Sequence, residues 1–508
     1  MALIIAGLSP IFKSLDVFMR FFKYYRPDRR INSGWDKIMI NRTLTLLAAL
    51  PILASVCVTF AFNNETAALV QNVPHVKQKE DFCGEACVEM VLRKLCHTIT
   101  QDDVFNLSGV NPMLARGCYT AELAGTMRKL GFETGPVWFN VKNLPDKILT
   151  CWTNLYSDLA MGIPSIVCMH YDDQPATTEH FRLITGYDPA SDEVIYNEPA
   201  IEKGGYLRMK KDLFLKLWPL KNRYGENMIV RLRCQPKTIT PPAICDNISP
   251  SDYAQHMIAL KKKLADFDFA FVLEPPFIII GDEDLATVNQ RAEQTVKWAV
   301  EKLKADYFKK DPMEIIDIYL FRNKSSYEKN TIRLFNEKPT TPYGFYSEEN
   351  HALIMNIATG GGTLVHEIVH PYMRANFPTC PAWLNEGMGS LYEQSAERNG
   401  HIVGLTNWRL AGLKEEITNG TLPPFYEMLM TTTRQFYSSN RGNNYAQARY
   451  LCYYLQENKL LVKFFHEFIK NHEKDPSGLK TLKTVLGEND MDVFQKKWER
   501  FVMGLTFP

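Results

Sequence analysis

The chain has 508 residues, too many for one hydrophobic core, so two or three domains are expected. Hydrophobic residues make up 45%, charged residues 23%, and the formal net charge is +1. No long-range field and no basic stripe interleaved with aromatics draws the chain to nucleic acid, which excludes that class of partner. The 11 cysteines form no paired CxxC units and are too sparse for a disulfide scaffold.

The first element in chain order is the uncharged run 43–62, TLTLLAALPILASVCVTFAF, which at ~1.5 Å per helical residue just spans a bilayer. Lys and Arg outnumber Asp before it, so the positive-inside rule sends the rest of the chain out of the cytoplasm. Residues 1–62 are expected to be a basic segment with a membrane anchor or, from a start at Met39, a signal peptide. A buried helix is the alternative. The expected location is exported, membrane-anchored or secreted.

Residues 63–234 read as a first domain. The helical pattern CGEACVEMVLRKL precedes strand-like runs HFRLITGY, EVIYNEP and MIVRLRC, an α+β order. Cys83 begins that helix, where the helix N-terminus favours a thiolate. Gln78, five residues earlier, can donate an amide hydrogen to an oxyanion. A nucleophilic cysteine needs a histidine and a group to orient it. His180 opens one strand and Asn197-Glu198 close the next, with the turn signal YDPASD between them. A hairpin folded about Pro189 sets residue 180 opposite about 198. Either Glu198 or Asn197 then orients His180. Cys87, one turn beyond Cys83, reads as structural. A buried inert thiol at Cys83 is the plain alternative.

Gln78, the CGEACVEMVL segment, His180 with its GYD, Asn197-Glu198-Pro199, Phe214 and Trp218 resemble the papain-like cysteine peptidases that process double-glycine leader peptides. The resemblance spans roughly 73–230 and implies acyl-enzyme chemistry at Cys83. The family's aspartate is replaced here by Glu198, one methylene longer.

Residues 235–252, QPKTITPPAICDNISPSD, read as a linker; Cys234 and Cys245 flank it and can pair in an exported protein. Residues 253–508 form the second expected domain. It mixes strands (FVLEPPFIII, EIIDIYLF, HALIMNI) with helices, and from Glu386 to Val502 the pattern is mostly helical.

The strongest signal is HEIVH at 366–370. His366 and His370 share a helix face and can hold one zinc ion, while Glu367 sits where it can take a proton from the reacting water. PAWLNEG supplies the third ligand, Glu386, with Pro381 suited to the first turn of its helix. TLVHEIVH and PAWLNEG resemble the gluzincin metallopeptidases over roughly 253–487. That resemblance implies a mixed sheet beside a helical active-site lobe, with HALIMNI as an edge strand that pairs with extended peptide. It also implies an oxyanion donor in NNYAQARYLCYYL, for which Tyr445 is the candidate. Pro371 departs from the pattern: the helix is expected to kink or end early there. Ser390 stands where the family places a histidine-orienting acid, so Glu393 or a carbonyl is expected to substitute.

The combined reading is an α+β chain in which a papain-like domain precedes a gluzincin-like zinc metallopeptidase, acting on peptide or protein substrates. The rivals are a zinc peptidase with a decayed, substrate-binding first domain, a thiol amidase or acyltransferase, and a binding scaffold with neither activity.

Overall fold

Runs rich in Val, Ile and aromatic residues form the strands, and segments with helical spacing and capping residues form the helices around them. The computed structural model describes residues 66–507, apart from Asn143, residues 244–246, Thr340 and residues 439–440. The hydrophobic run 43–62 and Cys245 lie outside the described residues. Among the described residues no helix is long and apolar enough to cross a membrane. Residues Ala68–Pro508 form one compact unit, which holds both candidate sites.

The N-terminal part of this unit is an antiparallel sheet packed on helices. Its strands are β1 (Trp138–Asn140), β2 (Ser165–His170), β3 (Glu179–Asp188), β4 (Glu193–Asn197), β5 (Leu207–Lys210) and β6 (Asn227–Arg233), in the order β1-β6-β2-β3-β4-β5. Ala68–Leu69 adds to β3 and Leu220–Lys221 to β6. β3 lies in the middle and is buried from His180 to Tyr187, with the polar side chains of His180, Arg182 and Thr185 included in the buried stretch. Helix α1 (Cys83–Lys94) packs against β3 and is itself buried from Gly84 to Leu92. Helix α2 (Gln101–Ser108) follows, opened by a Thr100–Asp103 capping box and closed by Gly109 in the left-handed region. Phe214 and Trp218 are fully buried in this core, and the Trp218 indole donates to Val230 O at 3.0 Å.

The expected linker is packed rather than free. Gln235–Pro236 pairs with Phe132–Glu133, and the amides of Lys237 and Thr240 donate to Gly131 and Leu130. Helix α3 (Pro250–Lys263) then starts earlier than expected, because Pro250 takes the first turn and Ser249 and Asp252 form a capping box. Its Ala254 belongs to the N-terminal core, whereas Tyr253, Met257 and Leu260 pack on the next sheet.

That sheet has five strands: β7 (Ala270–Glu274), β8 (Phe277–Gly281), β9 (Ile316–Phe321), β10 (Gly344–Ser347) and β11 (Ala352–Asn356), in the order β7-β8-β9-β11-β10. β8, β9 and β11 run parallel, and β7 and β10 close the two sides antiparallel. HALIMNI was expected at the edge. Instead its strand β11 is wholly buried, because the short segment GFYS folds back as β10 and takes the edge. On the outer side of β10 the Thr341 hydroxyl bonds both the amide and the carbonyl of Gly344. The rest is mostly helical: α4 (Gly362–Asn376), α5 (Ala382–Tyr392), α6 (Thr433–Ser438) and α7 (Arg441–Glu457) build the lobe, with one small hairpin, Ser395–Arg398 with His401–Gly404. The helix of HEIVH does not end at Pro371 but continues five residues to Asn376. Pro371 is buried within it, and the Glu367 carbonyl is the one that loses its usual amide donor.

Candidate functional site

Two separate clusters of reactive side chains lie in this unit. In the first, α4 and α5 pack side by side and bring His366, His370 and Glu386 together, with one donor atom of each within 4.8 Å of the others. Among the described residues this is the one such cluster of His, Cys, Asp or Glu. His366 Nε2 lies 3.3 Å from Glu386 Oε2, and His370 Nε2 lies 3.9 Å from Glu386 Oε1. Zinc with tetrahedral bonds of the usual length separates its ligand atoms by about 3.4 Å, so the donor set fits. Glu386 Oε2 is buried without a hydrogen-bond partner, as a carboxylate oxygen built to face a cation would be. Glu367 lies beside His366 on α4, partly exposed.

Each candidate ligand is held from behind. Asn385 Oδ1 lies 3.0 Å from His370 Nδ1, which leaves Nε2 for the metal. Glu393 Oε1 lies 3.1 Å from His366 Nδ1, at ion-pair distance though off the line of a good hydrogen bond. Arg409 clamps Glu393, with Nη2 to Oε1 at 2.8 Å and Nε to Oε2 at 3.3 Å. Glu393 or a carbonyl was expected to stand in for the acid missing at Ser390; the Glu393 carboxylate, three residues further along, reaches His366. Burial alone would lower the His366 pKa, but the Glu386 and Glu393 carboxylates outweigh it and raise it to about 10. Burial likewise opposes ionisation of Glu386 and Glu393, yet the imidazoles, with Arg409 for Glu393, bring both down to about 2. Gly389 lies against the His366 ring, where a Cβ would stand 3.1 Å from Nε2. A larger residue there would push the two helices apart.

Tyr437, which sequence reasoning passed over, donates its hydroxyl to Glu386 Oε1 at 2.5 Å. Nothing in its local sequence separates it from the other tyrosines. Tyr445 lies behind it on α7, ring centroids 6.5 Å apart, with the Arg409 guanidinium 5.4 Å from its ring.

The second cluster surrounds Cys83, the first residue of α1. The Cys83 thiol meets the backbone of Phe181, which directly follows His180 on β3. His180 Nε2 lies 2.6 Å from Glu198 Oε1, leaving Nδ1 as the nitrogen without a carboxylate. Arg182, also missed from the sequence, donates Nε to Glu198 Oε2 at 2.6 Å and its other nitrogens to the carbonyls of His170 and Tyr171. Its position two residues after His180 on one strand face was the available signal. Burial opposes ionisation of Glu198, but His180 and Arg182 keep its pKa below the usual carboxylate range.

Three expectations change here. The β3–β4 register pairs Leu183 with Asn197, not residue 180 with 198. The turn is centred one to two residues later than Pro189, and a bulge lies between Ile184 and Gly186. Glu198 therefore sits beyond the end of β4 and reaches back to His180. Asn197 does not orient His180: strand alternation turns it inward, where Oδ1 accepts from the Tyr206 amide at 2.8 Å and Nδ2 lies 3.5 Å from Met90 Sδ. The helix N-terminus does not leave Cys83 a ready thiolate either. Burial, with Glu85 and Glu198 nearby, pushes its pKa up to about 12. Cys87 is fully buried, its thiol 3.8 Å from Phe181 O and its pKa raised well above the ordinary value by burial. Gln78 is tied down by its backbone N–H, which donates to Pro199 O at 2.9 Å, and its side-chain Oε1 is buried without a partner.

The family model described as "Peptidase_C39 like family" matches residues 70–225, supporting a papain-like cysteine peptidase domain in that stretch and hence a peptidase acting on peptide or protein substrates. No curated protein matches the chain.

Proposed function

We propose that this chain is an exported peptidase with two hydrolytic sites: a papain-like cysteine site at Cys83 and a gluzincin-like zinc site at His366, His370 and Glu386. The observation that carries the zinc half is the convergence of those three side chains within 4.8 Å, each backed by a second polar group. When bound, zinc activates water and polarises the scissile carbonyl. Glu367 accepts the proton of the attacking water and passes it to the leaving amine. Tyr445 donates to the oxyanion.

At the other site the thiol proton moves from Cys83 Sγ to His180 Nδ1 as sulfur attacks the carbonyl carbon. The amine leaves with that proton, and water then hydrolyses the thioester. Glu198 stabilises the imidazolium and Arg182 holds Glu198. Gln78 is the oxyanion donor. A second reading, a decayed binding module, draws support from the high pKa of Cys83. The intact His180–Glu198–Arg182 chain favours activity.

Purified protein tests both halves. Zinc content with chelator-sensitive peptide cleavage supports the zinc site; iodoacetamide labelling of Cys83 ahead of Cys87 supports the cysteine site. Metal-free protein that cleaves no peptide defeats the first, and equally slow labelling of both thiols defeats the second. A reporter active only in the cytoplasm, fused after Asn63, defeats export if it works there.

A further inference from the structure

The segment that delivers Cys83 is a strained turn. The Phe82 amide donates to Lys79 O at 3.0 Å, closing a turn over 79–82. Asp81 has φ 60, and Glu80 is not among the positive-φ residues. That combination is a type II turn, whose third position favours glycine, so Asp81 carries strain. Types I and II differ by a flip of the central peptide, and the direction of the Glu80 carbonyl tells them apart.

That carbonyl is held from the far half of the chain. Gln255 Nε2, on α3, donates to Glu80 O at 2.9 Å. Lys262 on the same helix lies 3.7 Å from the Glu80 carboxylate, but both are largely exposed and the pair contributes little. On either side the segment is already anchored, by the Gln78 amide to Pro199 O and the Lys79 amide to Gln101 Oε1 at 2.7 Å. The Asp81 carbonyl abuts Gly117, where a Cβ would stand 2.1 Å from it. The central peptide is thus the part of the segment whose direction depends on Gln255.

We propose that Gln255 is a positioning residue for the cysteine site: by holding the Glu80 carbonyl it keeps the turn in its strained form and so sets the approach of Gln78 and Cys83. The inference rests on reading Cys83 as the nucleophile. It makes the helix that opens the metallopeptidase half a working part of the cysteine half.

The test uses the full chain and two readouts, hydrogen exchange of the peptide covering 79–83 and the rate of Cys83 alkylation by iodoacetamide. Releasing a residue from a strained left-handed conformation is worth about a tenfold population shift. Both turn types keep the bond from the Phe82 amide to Lys79 O, so the readout is opening of the turn, which releases Asp81: Gln255→Ala should let it open more often, speeding exchange of the Phe82 amide and slowing alkylation, each by about tenfold, with the thermal midpoint nearly unchanged. Asp81→Gly removes the strain, so the double variant D81G/Q255A should regain the parental values; a merely supportive contact would show no such rescue. Unchanged exchange in Q255A overturns the clamp. Faster exchange with unaltered alkylation overturns its role in placing Cys83, as does failure of the double variant to recover. His180→Ala reports on the underlying reading separately. If alkylation does not respond to it, the peptidase assignment fails, while the exchange data still decide the clamp.

Discussion

Replacing Glu198 by aspartate restores the residue that the resembled peptidase family carries, and the geometry predicts that this lowers activity. Glu198 lies past the end of β4, in a register offset from the simple hairpin by the longer turn and the bulge at Ile184/Gly186. It spans to His180 Nε2 and Arg182 Nε at 2.6 Å each. Aspartate is shorter by one methylene, about 1.5 Å. Unless the backbone moves, at least one contact lengthens to about 4 Å, beyond hydrogen-bond reach. A hydrogen bond to a charged group contributes roughly 1.5–3 kcal/mol, which corresponds to about a tenfold to hundredfold loss if the His180 contact goes. If the Arg182 contact goes instead, a buried guanidinium is left half-paired and the thermal midpoint falls. Glu198→Gln keeps the length and is the control: it holds the imidazole in place but cannot stabilise its charge. The assay is the rate at which Cys83 is acylated by a peptide electrophile at pH 7, followed by mass spectrometry beside a melting curve. An aspartate variant that reacts as fast as the parent and melts with it would refute the reach argument.

At the metal site, His366→Ala and Glu386→Ala should each lower zinc content measured by elemental analysis. Glu367→Gln should keep the metal while hydrolysis drops by about a hundredfold; an Ala variant of Glu386 that retains parental zinc would remove it from the ligand set. Tyr437→Phe deletes the bond to Glu386 and should weaken zinc retention against a chelator by about tenfold or more. Tyr445→Phe should leave retention intact and lower turnover; identical retention in the two variants would argue against the Tyr437 role. Glu85 is fully buried, and burial raises its pKa to about 7 although its Oε1 accepts the Cys118 amide at 2.6 Å. A folded pKa above the unfolded 4.5 means the native state holds a proton that the unfolded state releases. This contribution is therefore full below pH 4.5, declines as pH rises to about 7, and is flat above. Glu85→Gln should remove that decline, so the variant's melting temperature gains on the parent between pH 5 and 8; a constant difference would refute it.

The gathering of His366, His370 and Glu386 was legible because it is written in short-range spacing. HEIVH and WLNEG name their residues within a few positions, and helical periodicity suffices to aim His366 and His370 together. Arg182, Tyr437 and Asn385 were not legible in the same way. Each acts through a contact set by packing between segments: Tyr437 is 51 residues from Glu386 and Arg182 is 16 from Glu198. Register was the other loss. A hairpin is readable from YDPASD, but the extra residues in the turn and the bulge shift every cross-strand pair, and a one-residue shift exchanges the faces. That is why Asn197 ends against Met90 instead of beside His180. At β11 the apolar run HALIMNI was correctly a strand, but its neighbour GFYS is too short to announce itself as the strand that takes the edge.

Helix α3 carries a consequence for synthesis. Ala254 completes the core that otherwise ends near Cys234, and the Ser251 amide is bonded to Asn106 Oδ1 at 2.7 Å. Translation runs from the N-terminus, so the strands bearing His180 and Glu198 leave the ribosome before the helix that seals them. A nascent chain halted between the two has every residue of the thiol cluster but leaves α2 without the helix that packs on it. The order of synthesis thus delays completion of the first core until the helix that leads into the second sheet has begun to emerge, a built-in interval before the surroundings of Cys83 are finished.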